Sequence, residues 1–73
     1  MKRSPVKSSN IAEVGYDIPT LTLEIKFHNG SVYQYWPIKR RTYDVLVNSP
    51  SVGKYFNKHI RGISGINFLK MDT

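Results

Sequence analysis

The stretch Leu21 to Trp36, LTLEIKFHNGSVYQYW, decides the fold of this chain. Apolar and polar residues alternate on both sides of the triplet His28-Asn29-Gly30, with the period of two that is typical of β-strands. Asn and Gly readily adopt positive φ angles, so the triplet predicts the turn of a β-hairpin. The first strand of the hairpin, residues 20–27, places four apolar side chains on one face: Leu21, Leu23, Ile25 and Phe27.

The length of the hairpin loop determines which side chains of the second strand are buried. A two-residue turn would place positions 32, 34 and 36 on the apolar face, and that set includes Gln34. A three-residue loop with Gly30 in the left-handed region would place Tyr33 and Tyr35 there instead. The longer loop is favoured because it buries two aromatic rings, and it leaves Trp36 on the opposite face.

The flanking sequence predicts one more strand and two helices. A strand begins near residue 10 and breaks before Pro19, which lacks an N–H donor. Residues 39–48, and residues from Ser51 to Gly62, carry apolar groups at helical spacing. The inward face of the first helix is either Tyr43-Leu46-Val47 or Ile38-Thr42-Val45-Leu46. We expect the helices to contribute three side chains to the core: Leu46, Phe56 and Ile60.

These elements predict an α+β domain in which a three-stranded antiparallel sheet packs against two short helices. Residues 1–9 are expected to form a flexible basic arm, because they are rich in Ser, Lys and Arg. Residues 10–62 form the domain. Residues 63–73 form a tail that either docks as an edge strand or stays free, since Gly62 and Gly65 loosen it.

Composition limits the classes of function. The 73 residues contain no cysteine, so no disulfide or thiolate metal site can form. No apolar run approaches the roughly 20 residues that span a bilayer, and no signal-peptide core is present, so we expect a cytoplasmic protein without membrane contact. The net charge of +6 attracts polyanions, including nucleic acid, anionic membrane and acidic protein surfaces, and does not by itself choose among them.

The chain offers little chemistry for catalysis. His28 and His59 are far apart in sequence, and neither belongs to a catalytic or metal-binding motif. Gly53 and Lys54 lack the further glycines and the preceding strand of a phosphate-binding loop. We therefore expect no enzyme activity, no metal and no cofactor.

Binding residues are predicted from charge and expected exposure. If the two helices lie side by side, their cations could converge into one patch that engages carboxylates or phosphates. Trp36 would add an exposed apolar anchor. Tyr33 and Tyr35 are expected in the core, with a base-stacking platform as the alternative. The predicted partner-binding residues are Trp36, Arg40, Arg41, Lys54, Lys58 and Arg61.

The order and spacing of several motifs resemble the KTSC domain, a family that takes its name from the C-terminal end of some lysyl-tRNA synthetases. The resemblance covers about residues 8–61. One departure is Lys39, where the family usually has proline. The motifs that carry the resemblance are Val14-Gly15-Tyr16-Asp17, the hairpin from Thr20 to Tyr35, Tyr43-x-x-Leu46, and Ser51-x-Gly53-Lys54-Tyr55-Phe56-Asn57-x-x-Ile60-Arg61.

The resemblance implies a non-enzymatic binding function. Stand-alone members occur in bacteria and phages, and RNA binding has been suggested for the family. Within it, this chain looks most like a phage-type transcription regulator that acts in the infected bacterial cell. The partner so implied is host RNA polymerase, with inhibited initiation (σ engagement or promoter opening) and readthrough of terminators. We expect a monomer that contacts the polymerase through protein–protein interactions, with RNA or other nucleic acid as the alternative partner.

Overall fold

The computed structural model describes residues 1–71. These residues form one antiparallel sheet with the strand order β1-β2-β3-β4-β5, and two helices follow the fourth strand. The elements are β1 (Arg3–Pro5), β2 (Ile11–Asp17), β3 (Thr22–Phe27), β4 (Val32–Trp36), α1 (Arg40–Asn48), α2 (Val52–His59) and β5 (Asn67–Met71). Neither helix is long and apolar enough to cross a membrane.

The prediction of a three-stranded sheet is wrong, because the sheet has five strands, although the α+β class is retained. The additional strands are the two edges. β1 lies within the expected arm and pairs with β2, and β5 lies within the tail and pairs with β4. β1 has only three residues and almost no apolar side chains, so the sequence shows no strand pattern there. β5 is the edge strand that was one of the two alternatives for residues 63–73.

The central hairpin has the three-residue loop. The Phe27 N–H donates to the Ser31 carbonyl at 2.9 Å, and Gly30 adopts a φ of +92°. The register of β3 and β4 aligns Tyr33 with Ile25 and Tyr35 with Leu23. Both β4 tyrosines consequently lie on the helix side of the sheet, and Trp36 lies on the other.

Leu21 was expected in the core and is not there. The chain turns before β3 begins, and Leu21 takes a positive φ of 54° with 38% of its surface exposed. Its carbonyl accepts a hydrogen bond from the Ile38 N–H at 2.8 Å. Leu21 therefore connects the β2–β3 turn to the segment before α1. The apolar alternation of the sequence begins one residue before β3 itself begins at Thr22.

The core lies between one face of the sheet and the two helices. α1 inserts Leu46, while Val45 is 43% exposed, so the inward face of α1 is the Tyr43-Leu46-Val47 set. Of the expected core residues, Phe27 and Tyr33 are half-buried at the margin. The buried apolar residues of this core are Ile11, Val14, Leu23, Ile25, Tyr35, Ile38, Leu46, Val52, Phe56 and Ile60. Val32 is also buried, but it lies on the other face of the sheet with Gln34.

α1 begins without a cap. Lys39 occupies the N-cap position with no side-chain hydrogen bond, and the first turn contains no acidic residue. An aspartate at this position would accept a free backbone N–H and interact favourably with the helix dipole. We expect Lys39→Asp to raise the free energy of unfolding by about 1 kcal/mol in urea titrations. Lys39→Ala, which removes the charge without supplying a cap, is the control, and equal stability of the two variants would contradict this explanation.

Candidate partner-binding surfaces

An aromatic cleft opens on the helix side of the sheet, beside the last turn of α2. Its volume is about 660 Å³. β3, β4 and β5 contribute one wall, and the chain leaving α2 contributes the other. The lining residues are Ser9, Asn10, Phe27, His28, Asn29, Ser31, Tyr33, Tyr35, Arg61, Gly62 and Phe68.

The rings of the aromatic cleft contact one another in a row across two strands. Phe68 on β5 lies 6.4 Å from Tyr33 and 6.3 Å from Tyr35, measured between ring centroids. Tyr35 is 6% exposed and packs edge-on against Phe56 at 5.2 Å, so it belongs to the core. Phe68, by contrast, is 66% exposed. Phe68 is therefore the most accessible ring of this cleft, and the half-buried rings of Phe27 and Tyr33 lie beside it.

Polar groups surround these rings. His28 Nε2 lies 2.8 Å from the Ser8 carbonyl oxygen, which connects the hairpin loop to the N-terminal segment. Arg61 lies close enough to Tyr35 to influence its ionisation: burial raises the pKa of the Tyr35 hydroxyl, and the Arg61 charge offsets part of that rise. The cleft thus combines exposed aromatic surface with one cation and several hydrogen-bonding groups.

The buried tyrosines predict a loss of stability at alkaline pH. Burial raises the pKa of Tyr16 and of Tyr35 above the ordinary value of 10.0. Such a group stabilises the fold fully below its unfolded pKa, and the contribution disappears as the pH rises through the folded pKa. We expect the urea midpoint to fall above about pH 10. The urea midpoint of the Tyr35→Phe variant should fall less steeply with pH across the same interval. An unchanged slope of midpoint against pH in this variant would contradict the explanation.

The structure places the predicted cations at separate positions. Arg40 lies at the start of α1, near Tyr16, with its Nε 4.0 Å from an Asp44 carboxylate oxygen. Arg61 lines the aromatic cleft, and Lys54 lines a different groove. Arg41 and Lys58 are exposed, with no carboxylate partner within residues 1–71. Arg40, Lys54 and Arg61 thus lie at three different places on the domain. The five cations do not form the single patch that side-by-side helices would allow.

A second groove, the arm groove, separates the N-terminal segment from the start of α2. It has a volume of about 1080 Å³ and is lined by residues 5–10, 47, 49–54 and 57. Gly53 allows the two segments to approach closely, because a Cβ at this position would lie 2.7 Å from Asn10 Oδ1. Lys7 and Lys54 make the groove basic.

The open face of the sheet, opposite the helices, carries an ion-pair network that the sequence did not reveal. Arg3 donates to Glu13 at 3.0 Å and to Glu24 at 2.8 Å, and Gln34 donates to the other Glu24 oxygen at 2.9 Å. The hydrogen bond to Glu13 raises the pKa of the Arg3 guanidinium. Glu24 is only 7% exposed. Trp36 lies on this face and is half-buried.

Gly15 makes this network possible. Arg3, Gly15 and Glu24 occupy one row across β1, β2 and β3. A Cβ at Gly15 would lie 2.6 Å from the Lys2 carbonyl oxygen and 3.0 Å from Arg3 Cγ. The absence of a side chain therefore lets Arg3 cross β2 and reach the carboxylate on β3.

Comparison with known proteins identifies the family. The model of the KTSC domain matches residues 7–63. The chain belongs to the KTSC domain family. The matched segment includes residues 10–62, for which a separate domain was predicted, and it extends beyond them at both ends.

Relatives of this KTSC domain include small proteins and a segment of a large enzyme. The crystal structure of a KTSC domain protein from Yersinia pestis superposes with a TM-score of 0.88, at 33% identity, and the match covers 97% of each chain. An uncharacterized protein of Stutzerimonas stutzeri is 33% identical over 80% of this chain and 82% of its own length. A lysine–tRNA ligase of Nostoc punctiforme is 41% identical over 77% of this chain. The matched segment spans only 10% of the length of that enzyme.

Proposed function

We propose that this KTSC domain is a non-enzymatic transcription regulator that binds bacterial RNA polymerase through protein–protein contacts. In this proposal the bound domain inhibits initiation, by disturbing σ engagement or promoter opening, and promotes readthrough of terminators. The resemblance to a phage-type regulator supplies the identity of the partner. The observation on the domain itself that supports a protein partner is the exposed apolar surface of β5.

β5 exposes large apolar side chains on both faces of the sheet. Phe68 is 66% exposed on the helix side, and Leu69, which pairs with Gln34, is 53% exposed on the open face. The core lies between the helices and the inner strands, and β5 extends beyond it. A partner that covers this edge of the sheet would bury large apolar side chains on both faces, and that burial is favourable.

The charge of the domain favours an acidic or mixed partner surface. The net charge of +6 would accelerate association with such a surface by electrostatic steering. Arg41, Lys58 and Arg61 are exposed and available for contacts at the rim of an interface, where their individual contributions to affinity are small. The apolar residues of β5 would then supply the centre of the interface.

Co-elution tests the proposal. Nuclease-treated protein and purified core RNA polymerase are mixed and separated on a sizing column at moderate salt. We expect a stoichiometric complex that persists when salt is raised, since an interface with an apolar centre is less salt-sensitive than phosphate binding. Leu69→Ser should weaken binding about tenfold, as expected for a central interface residue. Val45→Ser, which removes a similarly exposed apolar group from α1, is the matched control.

The absence of co-elution of wild-type protein with the polymerase would contradict the proposal. Equal losses in the Leu69→Ser and Val45→Ser variants would also contradict the assignment of the interface to β5. A complex that disappears after nuclease treatment would show that nucleic acid, rather than a protein surface, carries the association.

The second candidate function is binding of single-stranded RNA in the aromatic cleft. It is favoured by the exposed ring of Phe68 and the half-buried ring of Tyr33 next to Arg61, an arrangement that suits base stacking and phosphate pairing. The occurrence of the domain within lysine–tRNA ligases agrees with this candidate.

Paired variants separate RNA binding from general charge effects. Phe68→Ala should reduce affinity for a fluorescent single-stranded RNA by roughly fivefold or more, because base–aromatic stacking contributes about 1–3 kcal/mol. Leu69→Ala, on the neighbouring residue and the opposite face, should leave RNA affinity unchanged. Arg61→Gln should weaken binding more than Lys58→Gln, although the charge change is the same. Equal effects within each pair would contradict a role for the cleft.

A further inference from the structure

We propose that the partner joins the sheet as a sixth strand, by adding an extended segment to the outer edge of β5. This inference rests on the proposed function and specifies its binding mode. The segment it predicts carries acidic residues on the helix side of the sheet and apolar residues on the open face.

Hydrogen-bond direction shows which backbone groups of β5 face outward. The bond from the Phe27 N–H to Ser31 makes positions 31, 33 and 35 the ones that bond to β3. Positions 32, 34 and 36 of β4 must then bond to β5, where they are aligned with residues 71, 69 and 67. The N–H and C=O groups of Phe68 and Lys70 consequently point away from the sheet and can pair with an added strand.

The two edges of the sheet differ in how they are protected. β1 has three residues and includes Pro5, which has no N–H to offer. β5 has five residues without proline, and its outer edge has no strand partner within the described part of the chain. A long edge strand with exposed apolar residues is a template for strand addition, and several peptide-binding domains use this mode.

The side chains of β5 indicate what kind of segment fits. Phe68 and Lys70 lie on the helix side, where Arg61 lines the adjoining cleft. Residues of an added strand on that side would face a cation, and carboxylates complement it. On the open face the added strand would face Leu69 and Met71, which favour apolar neighbours.

A second copy of this chain is a poorer occupant of the edge. Each copy carries a net charge of +6, and edge-to-edge pairing would bring these charges together. β5 itself contains no acidic residue to place near Lys70. Charge complementarity therefore favours an acidic segment of a different protein.

A proline at position 70 tests this inference. Lys70→Pro removes an outward-facing N–H and preserves the bonds from residues 67, 69 and 71 to β4, so the fold should persist. Lys70→Thr removes the same charge and retains the N–H. We expect Lys70→Pro to lower affinity for core RNA polymerase at least tenfold relative to Lys70→Thr, with both variants showing wild-type far-UV circular dichroism and close urea midpoints.

The possible outcomes are distinguishable. If wild-type protein does not bind the polymerase, the proposed function and this inference both fail. If wild type, Lys70→Pro and Lys70→Thr bind equally, strand addition is overturned while polymerase binding stands. If the free chain sediments as a dimer and Lys70→Pro makes it monomeric, the edge belongs to a second copy and the inference is likewise overturned.

Discussion

Replacing Phe56 by alanine is expected to leave the domain largely unfolded at 25 °C. The Phe56 side chain has 0% exposure, and its ring contacts Phe27 at 5.8 Å and Tyr35 at 5.2 Å. Truncating a fully buried phenylalanine costs about 3–5 kcal/mol. A domain of 73 residues has a total stability of roughly 4–11 kcal/mol. A small domain buries a smaller share of its surface on folding and lies near the lower end of that range, so the loss approaches its whole stability.

Urea titration followed by circular dichroism and Trp36 fluorescence measures this effect. Phe68→Ala is the matched control, because it removes the same ring from a position that is 66% exposed. It should cost about 1 kcal/mol or less, as expected for a surface substitution. A Phe56→Ala variant within 1 kcal/mol of wild type would show that the packing between α2 and the sheet is not as described.

Replacing Arg3 by methionine is expected to lower the free energy of unfolding by about 2–3 kcal/mol. The substitution leaves the Glu24 carboxylate, 7% exposed, without its cationic partner. Removing one member of a buried ion pair is costly because the remaining charge stays desolvated. The same change also releases β1, which is otherwise held to β2 by few backbone bonds.

Two further variants separate the charge effect from the loss of β1. The double variant Arg3→Met, Glu24→Gln removes the unpaired Glu24 charge and keeps an acceptor for Gln34. At least half of the stability lost in Arg3→Met should therefore return. Gly15→Ala places a methyl group where the Lys2 carbonyl and Arg3 lie, and it should destabilise the domain without altering any charge. Equal stability of Arg3→Met and the double variant would contradict the charge explanation.

The central hairpin could be predicted because its sequence contains all the determinants. Alternation defines the faces of the strands, and Gly30 fits the left-handed conformation that the loop requires. The three-residue loop is favoured over the two-residue turn because it buries Tyr35 where the shorter turn would bury Gln34. The helices could be predicted for a similar reason, since apolar residues recur at helical spacing within each of them: Tyr43, Leu46 and Val47 in α1, and Val52, Tyr55 and Phe56 in α2.

The sequence did not indicate β1, and for residues 63–73 it left open an edge strand or a free tail, of which the structure shows the edge strand β5. β1 and β5 depend on pairing with residues far away in sequence, and burial pattern does not distinguish them from loops. The Arg3–Glu24 pair spans 21 positions and forms only because β1 docks. Leu21 shows the converse error, since its apolar character continues a strand pattern that the backbone has already left.

The sequence offered individual cations as candidate binding residues, but it did not show the surfaces on which they lie. Arg61 was predicted for its charge, and the structure adds that it lies beside an aromatic cleft. The position of Phe68 within that cleft could not be foreseen, because it follows from the pairing of β5 with β4. Arg40 and Arg61 belong to different segments, so only the tertiary fold could show that Arg40 lies near Tyr16 while Arg61 lines the aromatic cleft.

In vitro transcription with purified bacterial RNA polymerase tests the central proposal most directly. The template carries one promoter followed by an intrinsic terminator, and transcripts are measured with and without saturating wild-type protein. We expect fewer initiated transcripts, and a larger fraction extending past the terminator when the protein is added after initiation. Unchanged transcript number and unchanged readthrough, in the presence of folded protein at concentrations far above that of the polymerase, would contradict the proposal.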